Sequence, residues 1–391
     1  MNSPLHVVIL AGGSGRRLWP WSRPGIRKPE LPLVDDSTPL EMAVESALLM
    51  VPPERLHLVA AEGYLSDPGL CQWIREPKGR NTLPAIMRGA EVLFGQDPDA
   101  LMIVLPADQL ILDRDPFRRG LFETIEDLHS NPDSFWIHGT EAPPSSDFGC
   151  ISFDSASGRT GFVEKPSAEK IRELTEEQHL NAGTFKWYRH CGIFGFGAQF
   201  LLRQLHERGL KTSDLAPEMS IDHFLLGESE FSAHLKFRSL DHSWSDLGDW
   251  NTIRQIRSSH LPSTSQTRIR WSPPSGIPLY SSGPPLVLDG AEPSIDGEPA
   301  RRVIALGMEP FELFVEAEGL RILGSEVENR TDPPKIIFNA TGESLAISGV
   351  SGGLVACMDD LVLICSERGL RTGLIAEASR ILDSELQEES L

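Results

Sequence analysis

The sequence predicts an α/β protein, with a mixed, mostly parallel sheet covered by helices on both faces and a small C-terminal β domain. Two short apolar runs, residues 7–10 and 101–105, have the length and composition of buried strands. Between them lie a segment with helical periodicity, residues 40–50, and a second predicted strand at 55–61, which we expect to pair in parallel with the first. Strands that alternate with helices are typical of parallel sheets.

The domain organisation follows from length and composition. The 391 residues suffice for two domains. After about residue 257 the chain becomes rich in Ser, Thr, Pro and Arg, and short β-type segments separated by turn residues follow. We predict an α/β domain at residues 1–258, a linker at 259–275, and a β-rich domain at 276–391. The last is expected to be a partial β-helix or a sandwich with a terminal helix.

Composition excludes several classes of function. The net charge of −20 argues against non-specific binding of nucleic acid, which needs a basic face. The five cysteines lack C-x-x-C spacing, so neither a zinc site nor a disulfide framework is expected. No apolar run is long enough for a membrane span, and the N-terminus lacks the pattern of a signal peptide. We expect a cytoplasmic protein without a membrane partner.

A turn of small residues follows the first predicted strand, which ends at Leu10. Small residues let backbone N–H groups approach a phosphate or a base closely. A tight strand-to-helix turn without a ligand is the alternative, since the string completes neither a Walker A loop nor G-x-G-x-x-G. The small residues are Ala11, Gly12, Gly13, Ser14 and Gly15.

Cations follow this turn closely, at Arg16, Arg17, Arg27 and Lys28. On an acidic chain, fixed positive charge beside a glycine-rich turn indicates an anionic ligand, most simply a nucleoside triphosphate.

Residues 75–86 read REPKGRNTLPAI and predict a loop that leads into a helix at 82–93. Asn81 or Thr82 would cap this helix. The N-terminus of a helix attracts anions through its free N–H groups and its dipole. A capped helix without any ligand is the alternative. Further along, residues 199–209 and 213–226 are also predicted helices.

Acidic residues follow two predicted strand segments. Asp108 comes directly after the strand at 101–105, and ligands of open α/β sheets bind at the carboxyl ends of strands. A carboxylate there suits Mg²⁺, although a helix N-cap is an equal alternative. Glu164 and Lys165, in the string GFVEKP, could meet a sugar and its phosphate, or form a solvated charge pair.

Together these strings resemble the sugar-phosphate nucleotidyltransferases, in particular the mannose-1-phosphate guanylyltransferase branch. The resemblance covers residues 7–250 in the family's order. It rests on LAGGSGRRLWPWSR, EPKGRNTLPAI, LPADQLI, DFGCISF, FVEKP, WYRHCGIFGF and WSDLGDW.

The resemblance implies a nucleotidyltransferase (Rossmann-like) fold that transfers GMP from GTP to mannose 1-phosphate with Mg²⁺ as cofactor. It assigns catalytic roles to Arg17, Lys28, Asp108 and Asp246, of which the two aspartates would bind the metal. It assigns nucleotide binding to Leu10, Ala11, Gly12, Gly13, Gly15, Arg80, Asn81 and Thr82. It assigns sugar-phosphate binding to Gly149, Glu164, Lys165 and His190.

Several positions depart from the family pattern, and four of them bear on function. Arg16 replaces Thr, Gln109 replaces His, His190 replaces Asn and Cys191 replaces Ser. Because His190 and Cys191 lie in the string expected to contact the sugar, the identity of the sugar is open, and another hexose or heptose 1-phosphate is an alternative substrate. A catalytically silent, nucleotide-sugar-binding regulatory homologue is a second alternative. Because the β domain would offer strand edges, a homodimer is a further expectation.

Overall fold

The computed structural model describes the side chains of most of the N-terminal two thirds of the chain and the strands of the remainder. The ranges are 4–12, 15–18, 22, 27–31, 38–61, 71–111, 114–180, 184–226, 231–240, 244–248 and 252, of which 16, 177–180 and 244 are described without their side chains, then eight strands after residue 285. Two compact units are present: residues 1–13 with 37–246, and residues 14–36 with 247–391. The predicted domain boundaries remain a prediction. The predicted linker and terminal helix lie outside the described residues.

The described part of the first unit forms a nine-stranded mixed sheet. Its strands are β1 (Leu5–Leu10), β2 (Leu56–Ala61), β3 (Gln72–Glu76) and β4 (Leu101–Pro106), followed, after a short strand β5 (Leu110–Ile111), by β6 (Phe135–Glu141), β7 (Cys150–Asp154), β8 (Arg159–Val163), β9 (Phe185–Gly197) and β10 (Leu235–Ser239). A further short strand, β11 (Trp244–Ser245), pairs with β5 outside this sheet.

The strand order is β10-β6-β9-β4-β1-β2-β3, with β7 beside β9 and β8 beside β7. Strands β4, β1, β2 and β3 are mutually parallel, as are β10 and β6, whereas β9 runs antiparallel to its neighbours. The predicted parallel pairing of the first two strands is confirmed. Strand β3 was not predicted, because its position at the edge of the sheet permits exposed polar residues such as Gln72 and Arg75 that hide the apolar signal.

Five α-helices are described in the first unit, and four of them cover the two faces of the sheet. They are α1 (Pro39–Leu48), α2 (Thr82–Gln96), α3 (Arg114–Ser130), α4 (Ala168–Leu180) and α5 (Ala198–Glu207). Alternate residues of β1 enter separate cores: Val8 packs with residues of α2 and α5, whereas Val7 and Ile9 pack with residues of α1 and α3. The predicted fold, with helices on both faces, is therefore confirmed.

Residues 213–226 do not form the single helix that their pattern predicted. They form a 3₁₀ turn at Ser213–Leu215 and a π-helical turn at Asp222–Leu226. The break falls at Pro217, whose ring forces the preceding residue into extended backbone, and Ala216 accordingly has φ −66° and ψ 141°. The segment is therefore a loop that lies against the rest of the first unit.

The described part of the second unit includes two sheets. Strands β12 (Leu286–Leu288), β13 (Arg302–Leu306), β16 (Ile336–Asn339), β18 (Leu354–Cys357) and β19 (Leu361–Cys365) form one sheet; β14 (Phe311–Glu316), β15 (Gly319–Gly324) and β17 (Leu345–Ser348) form the other. Each sheet contains both parallel and antiparallel pairs. The C-terminal region is thus rich in β-structure, as predicted.

Candidate active site

The carboxyl ends of β1 and β4 lie side by side, which brings two predicted site segments together. The N–H of Ala107 donates to the carbonyl of Leu10 over 3.0 Å, and the N–H of Ala11 donates to the carbonyl of Val59, also over 3.0 Å. Gly12 is exposed, with no atom within 4 Å of the position a Cβ would take. The backbone at Gly12 is therefore open to a ligand, whereas the carbonyl of Leu10 and the N–H of Ala11 are already paired within the protein. Gly13 lies outside the described residues.

Asp108 and Asp246 are far apart in the sequence of the first unit but reach the same edge of the sheet. Asp108 lies two residues after the end of β4 and is half-buried. Ser245 of β11 pairs antiparallel with Leu110 of β5. Asp246 is the residue that follows Ser245. Paired strands lie about 5 Å apart. The ladder therefore holds the backbone of Asp246 next to the segment that carries Asp108.

This pair of carboxylates suits Mg²⁺. The ion prefers hard oxygen ligands, and it is usually held by one or two carboxylates together with water and substrate phosphates. Among the described residues, no group of three or more His, Cys, Asp or Glu side chains could hold a metal. An ion bound at Asp108 and Asp246 would thus complete its coordination with oxygen atoms of the substrate and water.

The glycine-rich loop and its cations belong mainly to the second unit. Arg17 is exposed on a 3₁₀ turn, Arg16–Leu18, and Lys28 begins another, Lys28–Glu30. Gly15 has φ +63°, and a Cβ there would lie 2.8 Å from the Cβ of Lys28. The loop folds back on itself at this point, and only glycine fits. The side chain of Arg16 lies outside the described residues.

Helix α2 begins with the predicted cap. Asn81 has φ 78° and ψ −177°, an unusual conformation for a residue other than glycine, and its side-chain oxygen accepts a hydrogen bond from the N–H of Thr82 over 2.8 Å. The N–H of Leu83 donates to the carbonyl of Met219 over 3.1 Å. Part of the donor set at this helix end is thus used by the protein itself.

Arg80 makes contacts that the sequence did not suggest. Its guanidinium donates to three backbone carbonyls of the loop after α5. Thr82 contacts the same loop, because its hydroxyl oxygen accepts a hydrogen bond from the N–H of Ile221 over 3.0 Å. Both residues therefore anchor the loop at 213–221, whatever they contribute to a nucleotide. The carbonyls bound by Arg80 are those of Ser213 (2.8 Å), Asp214 (2.8 Å) and Ala216 (3.3 Å).

For the description that follows, Leu10–Gly12, Arg80–Thr82, Asp108 and Asp246 are called the strand-end region. A second group, called the His190 cluster, consists of Gly149, Phe162, Glu164, His190 and Asp222. Both belong to the first unit.

The His190 cluster gathers residues from four separate stretches of sequence. His190 is 8% exposed, and its backbone N–H donates to the carbonyl of Gly149 over 2.9 Å. Its ring packs edge-on with Phe162 and Phe194. Its Nδ1 lies 3.1 Å from Oδ1 of Asp222, which sequence reasoning did not select. No sequence signal indicated Asp222. The sequence predicted a helix at 213–226, and Asp222 contacts His190 in the loop that forms instead.

Glu164 lies beside His190 in a space that Gly149 leaves open. A Cβ on Gly149 would lie 2.7 Å from Cζ of Phe162 and 2.9 Å from Oε2 of Glu164. Burial, and then the negative charge of Asp222, raise the pKa of Glu164, while Lys165 and His190 act to lower it. Lys165 is exposed, with its Nζ 3.9 Å from Oε1 of Glu164. The structure thus brings three predicted sugar-side residues together, with Lys165 at their margin.

Cys191, which departs from the family pattern next to His190 in β9, does not share the environment of His190. Successive side chains of a strand point to opposite faces. Cys191 is buried in the core formed with α1 and α3, where burial raises the pKa of its thiol to about 12. The side-chain amide of Gln109 donates to its carbonyl. Of the two, only His190 lies among the predicted sugar-side residues.

A family model for nucleotidyl transferases matches residues 6–261, well over half of the chain. The chain therefore belongs to the nucleotidyl transferase family, which confirms the membership that its motifs predicted. No helix among the described residues is long and apolar enough to cross a membrane.

Several curated proteins are similar to this chain. The mannose-1-phosphate guanylyltransferase ManC of Salmonella typhimurium is 30% identical over 309 residues, which cover 67% of this chain and 61% of ManC. The mannose-1-phosphate guanylyltransferase of Escherichia coli is 28% identical over 307 residues, which cover 66% and 61%. The matches thus span about three fifths of the length of these relatives.

A solved structure supports the fold. A crystal structure from Thermus thermophilus, titled as that of a mannose-1-phosphate geranyltransferase, matches with a TM-score of 0.64 at 23% identity. The match covers 97% of this chain and 99% of that one. At this identity the likeness shows the fold and nothing more.

Proposed function

We propose that this protein transfers GMP from GTP to mannose 1-phosphate, which yields GDP-mannose and pyrophosphate. The names of the curated relatives support this substrate pair. The observation that carries the proposal is the β5–β11 ladder, which holds Asp246 next to the segment of Asp108 at the carboxyl edge of the sheet. Two carboxylates at that edge suit phosphoryl transfer between a nucleotide and a phosphate.

The proposed reaction needs no covalent enzyme intermediate. A phosphate oxygen of the sugar phosphate attacks the α-phosphorus of GTP, and the bond to pyrophosphate breaks. The nucleophile is already an anion, so the protein's task is to align the two substrates and to offset their negative charge. When bound by Asp108 and Asp246, Mg²⁺ would supply positive charge for the phosphate oxygens.

The other predicted residues divide between the two substrates. Arg17 and Lys28 would bind the triphosphate and the leaving pyrophosphate as fixed cations. The nucleotide would lie along the glycine-rich turn, whose residue Gly12 is exposed, and near Arg80–Thr82. Glu164 and His190 would hydrogen-bond the sugar, and exposed Lys165 would meet its phosphate. A cytoplasmic location and a homodimer remain predictions.

Pyrophosphate release with Mg²⁺ tests the proposal. GTP and ATP would each be combined with mannose, glucose and heptose 1-phosphates, for the wild type and for Asp108→Asn and Asp246→Asn. We expect the fastest release with GTP and mannose 1-phosphate, and its loss in both variants. Absence of release with every pair, despite measurable binding of GDP-mannose, would instead favour a regulatory binding protein.

A second candidate keeps the chemistry and changes the sugar. The observation that favours it is the imidazole of His190 in place of the family's amide, held against Asp222. An imidazole and an amide offer different hydrogen-bonding groups, so a different hexose or a heptose 1-phosphate could be preferred. The same assay decides between the sugars by their kcat/KM values.

A further inference from the structure

The imidazole of His190 has one ring nitrogen near a carboxylate and the other without a partner. Nδ1 lies 3.1 Å from Oδ1 of Asp222, at an angle that falls short of a regular hydrogen bond. Nε2 is fully buried and has no hydrogen-bond partner among the described residues. Buried polar atoms without partners are rare in proteins, so this nitrogen calls for an explanation.

The neighbour of Nδ1 decides the chemistry of Nε2. An ionised carboxylate can only accept hydrogen bonds, so Asp222 favours the tautomer in which Nδ1 carries the proton. In neutral imidazole the other nitrogen is then an acceptor. The carboxylate of Glu164 is a second acceptor in the same space: burial raises its pKa, and the nearby His190 acts to lower it.

Asp222 is held firmly enough to act in this way. Its neighbour Ile221 is fully buried, and the N–H of Ile221 donates to the hydroxyl of Thr82. The start of the same loop is fixed by Arg80, which binds three of its carbonyls. In addition, Glu91 of α2 accepts from both the N–H (2.7 Å) and the hydroxyl (2.6 Å) of Ser213.

We propose that Asp222 is a positioning residue that keeps Nε2 of His190 as a hydrogen-bond acceptor for the sugar. The His190 cluster then selects a sugar 1-phosphate that presents a hydroxyl donor to Nε2 beside a second polar group bound by Glu164. A sugar without that hydroxyl leaves Nε2 buried and unpaired, and is discriminated against. The role of the sugar in this inference rests on the proposed nucleotidyltransferase function. The tautomer of His190 is independent of that function.

The tautomer can be measured without any turnover. Long-range ¹H–¹⁵N spectra of protein labelled with ¹⁵N-histidine distinguish protonated from unprotonated ring nitrogens, and His190→Asn assigns the signal. We expect wild-type His190 to carry its proton on Nδ1, and both Asp222→Ala and the size-preserving Asp222→Asn to shift the population toward the Nε2-protonated form. Asp154→Asn, at a remote exposed turn, is the control and should leave the spectrum unchanged. An Nε2-protonated wild type, or a spectrum insensitive to both Asp222 variants, would overturn the proposal.

Kinetics then test the link to the sugar. We expect Asp222→Ala to raise the KM for mannose 1-phosphate about tenfold while the KM for GTP changes less than twofold. The 2-, 3-, 4- and 6-deoxy analogues of mannose 1-phosphate show which hydroxyl Nε2 binds. For one of them, the kcat/KM of the wild type should be about tenfold lower than for mannose 1-phosphate, and His190→Ala should use that analogue as well as the wild type does. An equal loss of kcat/KM for all four analogues, in both the wild type and His190→Ala, would contradict the assignment of one sugar hydroxyl to Nε2. Failure of every sugar to react would count against the proposed function, while the spectra would still decide the role of Asp222.

Discussion

The strand-end region and the His190 cluster both lie in the first unit, but they are assembled in different ways. In the strand-end region, Leu10–Gly12 and Asp108 lie at the end of a strand or within two residues of it, and Arg80–Thr82 lie at the start of a helix. The positions of these residues depend on neighbours in sequence, whereas the position of Asp246 depends on the pairing of β11 with β5. The His190 cluster instead joins residues 149, 162–164, 190 and 222, which come together only through strand pairing and the docking of a loop.

The two regions also differ in how well their polar groups are paired. At the start of α2, the side chain of Asn81, the hydroxyl of Thr82 and the guanidinium of Arg80 all have partners within the protein. In the His190 cluster, Nε2 of His190 is buried with no partner among the described residues. A motif string can therefore mark residues that stabilise the fold, while an unpaired buried atom points more directly to a ligand.

Loss of either strand-end carboxylate should give the largest effect. We expect Asp108→Asn and Asp246→Asn to lower kcat about 10²- to 10³-fold, because each removes a charge that would hold the metal against the phosphates. Steady-state pyrophosphate release measures this. Asp99→Asn, at an exposed carboxylate after α2, is the matched control. A loss under tenfold in both variants would remove the two aspartates from the proposed site.

A pair of histidines near the amino ends of β1 and β2 should make stability depend on pH. Nδ1 of His6 and Nε2 of His57 lie 3.0 Å apart and are buried, and burial, followed by the charge of His6, lowers the pKa of His57 to about 4. The folded pKa lies below the value of 6.5 for an unperturbed His, so the contribution to stability is complete above pH 6.5 and is lost as pH falls toward 4. The unfolding free energy should fall by about 3 kcal/mol across this window.

Chemical denaturation at a series of pH values checks this prediction. The exposed His206→Gln should keep the same pH dependence as the wild type, whereas His57→Asn should flatten it. Loss of activity over this window without loss of stability would place the titrating group in the site instead.

Substitution of Arg80 tests whether it serves the nucleotide or the loop that carries Asp222. Arg80→Ala should lower the unfolding free energy by about 2 kcal/mol, because three carbonyls lose a charged donor. Since the freed loop carries Asp222, the KM for the sugar phosphate should rise as well. Arg80→Lys, which keeps the charge but not the forked geometry, should recover little of either loss. A rise in the KM for GTP alone, with stability unchanged, would show that Arg80 serves only the nucleotide.

Gly149→Ala should give the smallest effect. Its Cβ would press on Cζ of Phe162 and Oε2 of Glu164, so Glu164 must move and the KM for the sugar phosphate should rise by roughly fivefold. Gly95→Ala, where nothing lies within 4 Å of the new Cβ, is the control. An unchanged KM for the sugar in Gly149→Ala would mean that Glu164 does not contact it.

Local signals in the sequence predicted much of this molecule. The apolar runs predicted β1, β2 and β4, and the sequence around residue 81 predicted the cap of α2. An aspartate directly after a central strand predicted its place at the carboxyl edge of the sheet. These predictions succeed because hydrophobic periodicity and capping act between residues close in sequence.

Other features depended on tertiary structure. A polar pattern concealed edge strand β3, and Pro217 divided a predicted helix into two turns. Alternation along β9 separated His190 from Cys191, and only the folded loop brought Asp222 to His190. The sequence by itself determined the family, the alternation of strands and helices, and the residues that follow strand ends. Only tertiary structure decided which polar groups meet across the fold, because such contacts join residues that carry no local signal of each other.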